Sequence, residues 1–122
     1  MSGFEVTVEV RYVESESDPA AERYLFAYTI TIRNNGDEPG TLINRHWQIT
    51  DGEGKVEEVR GPGVVGRQPR IPPAQAFRYT SGAVLTTPVG VMQGEYEFER
   101  ESGERFEVPI PAFALRVPTM VH

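Results

Sequence analysis

"GEYEFERESGERFEVPI", residues 94–110, holds two runs of alternating character around one glycine. Tyr96 and Phe98 alternate with Glu95, Glu97 and Glu99, and Phe106 and Val108 alternate with Arg105 and Glu107. A period of two is the pattern of a half-buried strand, and two such runs around a short Gly-containing loop make a hairpin. Placing Phe98 opposite Phe106 sets Tyr96 against Val108 and Glu99 against Arg105. The loop is then Glu101-Ser102-Gly103, a three-residue connection with Gly in the left-handed position. A two-residue loop at Ser102-Gly103 would set Phe98 against Glu107 and mix the two faces, so burial fixes the register.

The same period runs through the rest of the chain. "FEVTVEVRYV" sets Phe4, Val6, Val8, Val10 and Tyr12 against Glu5, Thr7, Glu9 and Arg11, and the acidic loop "ESESDPAAE" follows. "YLFAYTITIRN" alternates Tyr24, Phe26, Tyr28, Ile30 and Ile32 with smaller or hydroxylated residues. "NNGDEPG" turns the chain into "TLINRHWQIT", where Ile43, Arg45, Trp47 and Ile49 share a side and Asn44, His46 and Gln48 the other. After "DGEG" come the short strand "KVEEVR", a glycine loop, and "AQAFRYTS" with Phe77 and Tyr79. A final short segment, "AFALRV", is placed at an edge, and residues 118–122 are expected to fray. No segment carries an apolar 3.6-residue period long enough for a helix. Seven or eight short strands between Gly/Pro turns predict an all-β antiparallel sandwich or barrel over a single domain, residues 1–122, and the lone Trp47 among apolar neighbours favours the sandwich. The lone Trp47 on the third strand points to the immunoglobulin-like class. The expected core is Val6, Val8, Phe26, Tyr28, Ile30, Trp47, Phe77, Tyr96, Phe98 and Phe106.

Composition bounds the chemistry. The 122 residues include no cysteine, so disulfides, thiolate metal ligands and a cysteine nucleophile are excluded. "MSGFEVTVEVRY" lacks the basic and apolar regions of a secretory signal, and no apolar run reaches the length of a membrane span; a soluble cytoplasmic domain is expected. The formal charge of −6 disfavours nucleic acid and anionic lipid. Between Glu58 and Glu95 there is no acidic residue, while Arg60, Arg67, Arg70 and Arg78 all lie there. That segment carries +4 and the remainder −10.

Within it, "GPGVVG" (61–66) matches the G-x-G-x-x-G spacing of dinucleotide sites. Those sites need a helix N-terminus after the glycines and an acidic residue about twenty positions on, for a ribose. Here "RQPRIPP" follows, with prolines at 69, 72 and 73, and the acid is missing. A Rossmann site is excluded, and without Gly-Lys-Ser/Thr so is a Walker loop. A backbone anion nest built from Gly61, Gly63 and Gly66 and flanked by Arg60, Arg67 and Arg70 remains open. So does a purely structural use, in which the glycines supply positive φ in a loop joining the two sheets. His46 belongs to a polar strand face. Ser81 has no recognisable base beside it. Glu95, Glu97, Glu99 and Glu101 spread along one strand at about 6.6 Å spacing instead of converging on a cation, and read as a solvated face partly neutralised by Arg105.

The stretches "LINRHWQITDGEG", "EVRGPGVVGRQP", "FRYTSGAVLTTPVGVMQGEYEF" and "FEVPIPAFAL", in that order over nearly the whole chain, resemble the ApaG family. The resemblance implies a fibronectin type III-like sandwich. It also implies an association with cobalt resistance and magnesium flux, interaction modules in an F-box protein and a DNA polymerase δ-interacting protein, and pyrophosphate binding at the glycine motif. Pro73-Ala74 stands where Pro-Gly is commoner in the family. A non-enzymatic binding module for an unidentified protein is the expectation, with Arg45, His46 and Gln68 as its interaction surface and a small anion such as pyrophosphate at the glycine loop. A part in divalent cation handling is the alternative, and a phosphate-processing enzyme the third. No catalytic residue, metal ligand or cofactor is assigned.

Overall fold

Eight strands follow one another along the chain: β1 (Phe4–Tyr12), β2 (Tyr24–Asn34), β3 (Gly40–Asp51), β4 (Val56–Pro62), β5 (Arg70–Ile71), β6 (Ala76–Leu85), β7 (Val89–Arg100) and β8 (Arg105–Arg116). The structure, a computed structural model, describes residues 3–118, so the expected fraying lies, from Thr119 onward, outside the described residues. All pairings among the strands are antiparallel. One sheet has the order β1-β2-β6; the other runs β4-β3-β7-β8, with β5 paired to the start of β3. In constant-type immunoglobulin domains the fourth strand joins the first sheet. Here β4 pairs with β3 instead, which gives the fibronectin type III-like arrangement. The acidic loop 13–23 carries two single-turn 3-10 helices, Glu14–Glu16 and Pro19–Ala21.

The β7–β8 hairpin has the register that burial dictates: Tyr96 opposite Val108, Phe98 opposite Phe106, Glu99 opposite Arg105. Gly103 takes φ +91° and donates to the carbonyl of Arg100 (2.9 Å), while Arg100 donates to that of Glu104 (2.8 Å). The β3–β4 turn repeats the device. Gly54 at φ +84° donates to Asp51 (3.1 Å), and Asp51 donates to Lys55 (2.9 Å).

Between the sheets Phe26, Ile30, Ile32, Leu42, Tyr96, Phe98 and Leu115 are fully buried, each contributing about 1.5–3 kcal/mol. Trp47 meets Tyr28, Tyr96 and Phe113 edge-on, with ring centroids 5.5–6.3 Å apart. Val8, Phe77 and Phe106 of the expected core are only partly buried. Their strands β1, β6 and β8 are sheet edges, where the opposing layer ends.

Two bulges alter the expected faces. An extra residue at Ile43 shifts the β3–β7 register, so Leu42, not Ile43, enters the core ahead of Arg45 and Trp47. A second, at Pro111-Ala112, moves the inward positions of β8 from Val108 and Ile110 to Phe113 and Leu115. "AFALRV" is therefore not a separate segment. Its first five residues complete β8, which pairs with β7 along its length. Asn34 is the buried polar side chain of the core. Its Nδ2 donates to the carbonyls of Glu38 (2.7 Å) and Ile71 (3.0 Å), and its Oδ1 accepts from the amide of Gly36 (2.9 Å), so nothing is left unsatisfied.

Candidate functional site

The glycine loop folds back on the larger sheet and does not join the two sheets, since β4 and β5 both pair with β3. The crossing comes later, at residues 72–75. Val64 and Arg67 exchange amide-to-carbonyl bonds (2.8 and 2.9 Å), with Val65 (φ +43°) and Gly66 (φ +76°) between them. Positive φ at both central residues is the I′ form of tight turn. The turn drives Val64 into the core, where it is 1% exposed.

The three glycines have three different causes. Gly66 supplies positive φ at the open tip. Gly63 supplies φ +59° and also space, because a Cβ there would stand 2.1 Å from the Arg67 carbonyl oxygen. Gly61 has no positive φ; its missing side chain leaves room for the Arg45 guanidinium, 3.1–3.2 Å from where a Cβ would be. Arg45 Nη1 donates to the carbonyls of Pro62 (2.9 Å) and Gly63 (3.0 Å) and so clamps the start of the turn.

The arginines around the loop are held by different partners. Arg60 is exposed on β4 with its guanidinium 3.7 Å from Glu58. Arg67 lies over the Phe77 ring, 5.5 Å from its centroid. Arg70 donates to Glu101 from Nε (2.9 Å) and Nη2 (2.5 Å). The loop amides of Gly63, Val64 and Arg67 are taken by carbonyls. Those of Val65 and Gly66 have no acceptor among the described residues.

Arg45, His46 and Gln68 do not form one surface. Arg45 and His46 are neighbours on a strand and project to opposite faces. Gln68 is exposed and donates to the Ile43 carbonyl (3.0 Å). His46 lies on the outer face of the larger sheet, between Glu95 on β7 (Nδ1, 2.7 Å) and Glu58 on β4 (Nε2, 2.8 Å). Ionised carboxylates only accept, so both bonds at once require the imidazolium. Hydrogen bonds to Glu95 and then Glu58 raise its pKa above the ordinary 6.5, with partial desolvation and Arg60 opposing. Arg105 donates to Glu99 (2.8 Å) and Glu97 (3.1 Å), as the solvated-face reading anticipates. A cleft of about 670 Å³ opens over this face, between Arg60 on β4 and Arg105 on β8, with Asn44, His46, Glu95 and Glu97 as its floor.

A second, smaller cleft of about 210 Å³ lies in the seam between the sheets beneath the turn. Tyr28, Arg45, Trp47, Tyr79 and Ser81 line it, with residues 64–66 above. Burial raises the pKa of Tyr28 despite its bond to Ser81 and the charge of Arg45, so its hydroxyl stays protonated at neutral pH. Three of the stretches that carry the family resemblance, around Trp47, Val64 and Tyr79, meet here. Sequence reasoning placed Arg45 on the Trp47 side but could not supply its neighbours, which come from β2, β6 and the turn.

Comparison with known proteins agrees with this architecture. The model of the ApaG domain family matches residues 14–100. Protein ApaG of Ralstonia nicotianae is 56% identical over the full length of both chains. Protein ApaG of Acidithiobacillus ferrooxidans is 54% identical over 97% of this chain and 93% of its own. The crystal structure of the putative ApaA protein from Bordetella pertussis superposes with a TM-score of 0.93 at 51% identity, covering 96% of this chain and 95% of that one. A protein from Archaeoglobus fulgidus, 12% identical with a TM-score of 0.54 over 96% of this chain and 99% of its own, shares the fold alone. With a family model over most of its length and relatives more than half identical from end to end, the chain belongs to the ApaG family.

Proposed function

We propose that this chain is a non-enzymatic binding module, acting in the cytoplasm, that recognises a protein partner through the outer face of its larger sheet. The supporting observation is the open cleft between Arg60 and Arg105, whose charged side chains are pre-set by cross-strand ion pairs. Charge arranged this way gives a partner specificity and orientation more than raw affinity. The same geometry argues against catalysis. Both nitrogens of His46 are occupied by carboxylates, and Ser81 lies in a cleft that no histidine or carboxylate lines. A part in cation handling would be indirect. Glu58 and Glu95 bond different ring nitrogens of His46, and among the described residues no group of three or more His, Cys, Asp or Glu could hold a metal ion. The exposed Arg60 and Arg67 within the acid-free segment favour a weaker second reading, attraction of pyrophosphate to the rim of the turn.

Affinity capture from a bacterial lysate tests the main reading. Wild type and an Arg78→Glu control on the opposite sheet should enrich the same protein. Arg60→Glu combined with Arg105→Glu should reduce that capture at least about tenfold, by reversing two rim charges. Undiminished capture by the double variant, or turnover of phosphate esters or dinucleoside polyphosphates by wild type, overturns it.

A further inference from the structure

The seam cleft has an electrostatic feature that its structural role leaves unexplained. Arg45 spends only Nη1 on the turn; its Nε and Nη2 have no acceptor, and it has no acidic partner, among the described residues. A half-buried guanidinium without counter-charge is costly unless an anion completes it. The remaining edge of a guanidinium is a planar two-donor fork matched to a carboxylate. Ser81 adds a hydroxyl, and the buried Tyr28, Trp47 and Tyr79 bound a cleft whose accessible lining is mainly polar. At the rim Val65, 52% exposed, is held at φ +43°, a backbone conformation that a β-branched residue rarely adopts. Strain of this kind clusters at ligand clamps.

From the unpaired guanidinium and the hydroxyl that meet under the turn, we infer that the seam binds a single carboxylate of a small ligand. One cation in the cleft matches one negative charge and leaves a pyrophosphate largely uncompensated. A volume of about 210 Å³ corresponds to about seven waters, enough for a propionate-sized group or the last residue of a peptide and too little for a nucleotide. Arg45 borders both clefts, but Tyr28, Tyr79 and Ser81 line this one and not the outer face, so the site does not depend on the role of that face.

NMR titration of the whole chain at constant ionic strength tests it. Propionate represents a free acid, N-acetylalanine a chain-terminal carboxylate, propionamide a neutral control and pyrophosphate the competing anion. Both carboxylates should shift the Arg45 Nε–H and the amides of Val65 and Gly66 saturably, in the millimolar range, while propionamide does not. Tighter binding of N-acetylalanine would assign the site to a chain end, and tighter propionate to a free acid. Ser81→Ala should weaken binding about three- to tenfold, the worth of one hydrogen bond. Arg45→Gln should abolish it; should that variant unfold for want of the clamp, Ser81→Ala still carries the test. Silence of Arg45 Nε–H up to roughly 50 mM carboxylate, an equal response to propionamide, or an unchanged affinity in Ser81→Ala overturns the inference. Pyrophosphate shifting residues 60–70 while carboxylates leave Arg45 unmoved would also overturn it and would support the rim reading instead.

Discussion

Ala74 sits at φ +66° in the crossing between sheets, with its amide donating to the carbonyl of Asn34 (2.9 Å). A side chain in the left-handed region costs about 1–2 kcal/mol, because Cβ crowds the following carbonyl oxygen. Glycine removes that strain but adds about 0.4–1 kcal/mol of unfolded-chain entropy. Ala74→Gly should therefore stabilise the protein by up to about 1 kcal/mol, read as a higher denaturation midpoint at unchanged slope. A lower midpoint would mean that the surrounding contacts relax the strain at Ala74. The comparison with Gly63 is instructive, since there both the angle and the 2.1 Å approach to Arg67 forbid any side chain. Ala74 was legible as a departure from the family's usual Pro-Gly. The different needs of Gly61, Gly63 and Gly66 were not, because they depend on which groups the fold brings against each glycine.

The bond between the Tyr79 and Tyr96 hydroxyls joins β6 to β7 across the sandwich, inside the core (2.5 Å). Burial raises the pKa of both, so both are neutral donors and acceptors at any ordinary pH. Losing one hydroxyl strands the other, which costs about 1–3 kcal/mol; losing both leaves nothing unsatisfied. Tyr79→Phe and Tyr96→Phe should each destabilise, and the double variant should cost less than the sum of the two by about 1 kcal/mol or more. Additive losses in a denaturation cycle would show that water satisfies the remaining hydroxyl. Elements differ in how plainly the chain announces them. The β7–β8 hairpin was readable because both runs keep period two up to a Gly-containing loop. The parity changes at Ile43 and Pro111-Ala112 were not, since a bulge inserts one residue with no marker of composition. For the same reason "AFALRV" read as a separate strand. The His46 partners escaped too: Glu58 and Glu95 are fixed by registers between strands, which a linear reading does not contain.

Over the whole molecule the Glu58–His46–Glu95 ladder ties β4, β3 and β7 together by a charge that titrates. The pKa of His46 is raised in the folded state, so its stabilisation is fully present below the unfolded value of about 6.5. It is lost as pH rises through the folded value. The net charge of −6 acts in the same direction, because self-repulsion declines as pH falls from 8 towards 6. Stability should increase over that interval, and His46→Gln should flatten the increase without removing the part due to net charge. A pH-independent midpoint in wild type, or an unchanged slope in the variant, would show that the ladder does not form in solution. Salt should weaken it modestly, since both carboxylates are solvent-accessible. The strand order β4-β3-β7-β8 also acts before the fold exists. Asn44 on β3 and Glu97 on β7 bond side by side yet are 53 positions apart. At a synthesis rate of about 5–20 residues per second, β3 leaves the ribosome roughly 3–10 s before its central neighbour. The β3–β4 hairpin can close in that interval and Trp47 can meet Tyr28 of the earlier β2, but the other edge of β3 stays unpaired until β7 emerges. The nascent chain is therefore most exposed to misassociation in its third quarter, while the acid-free segment 59–94 is being made.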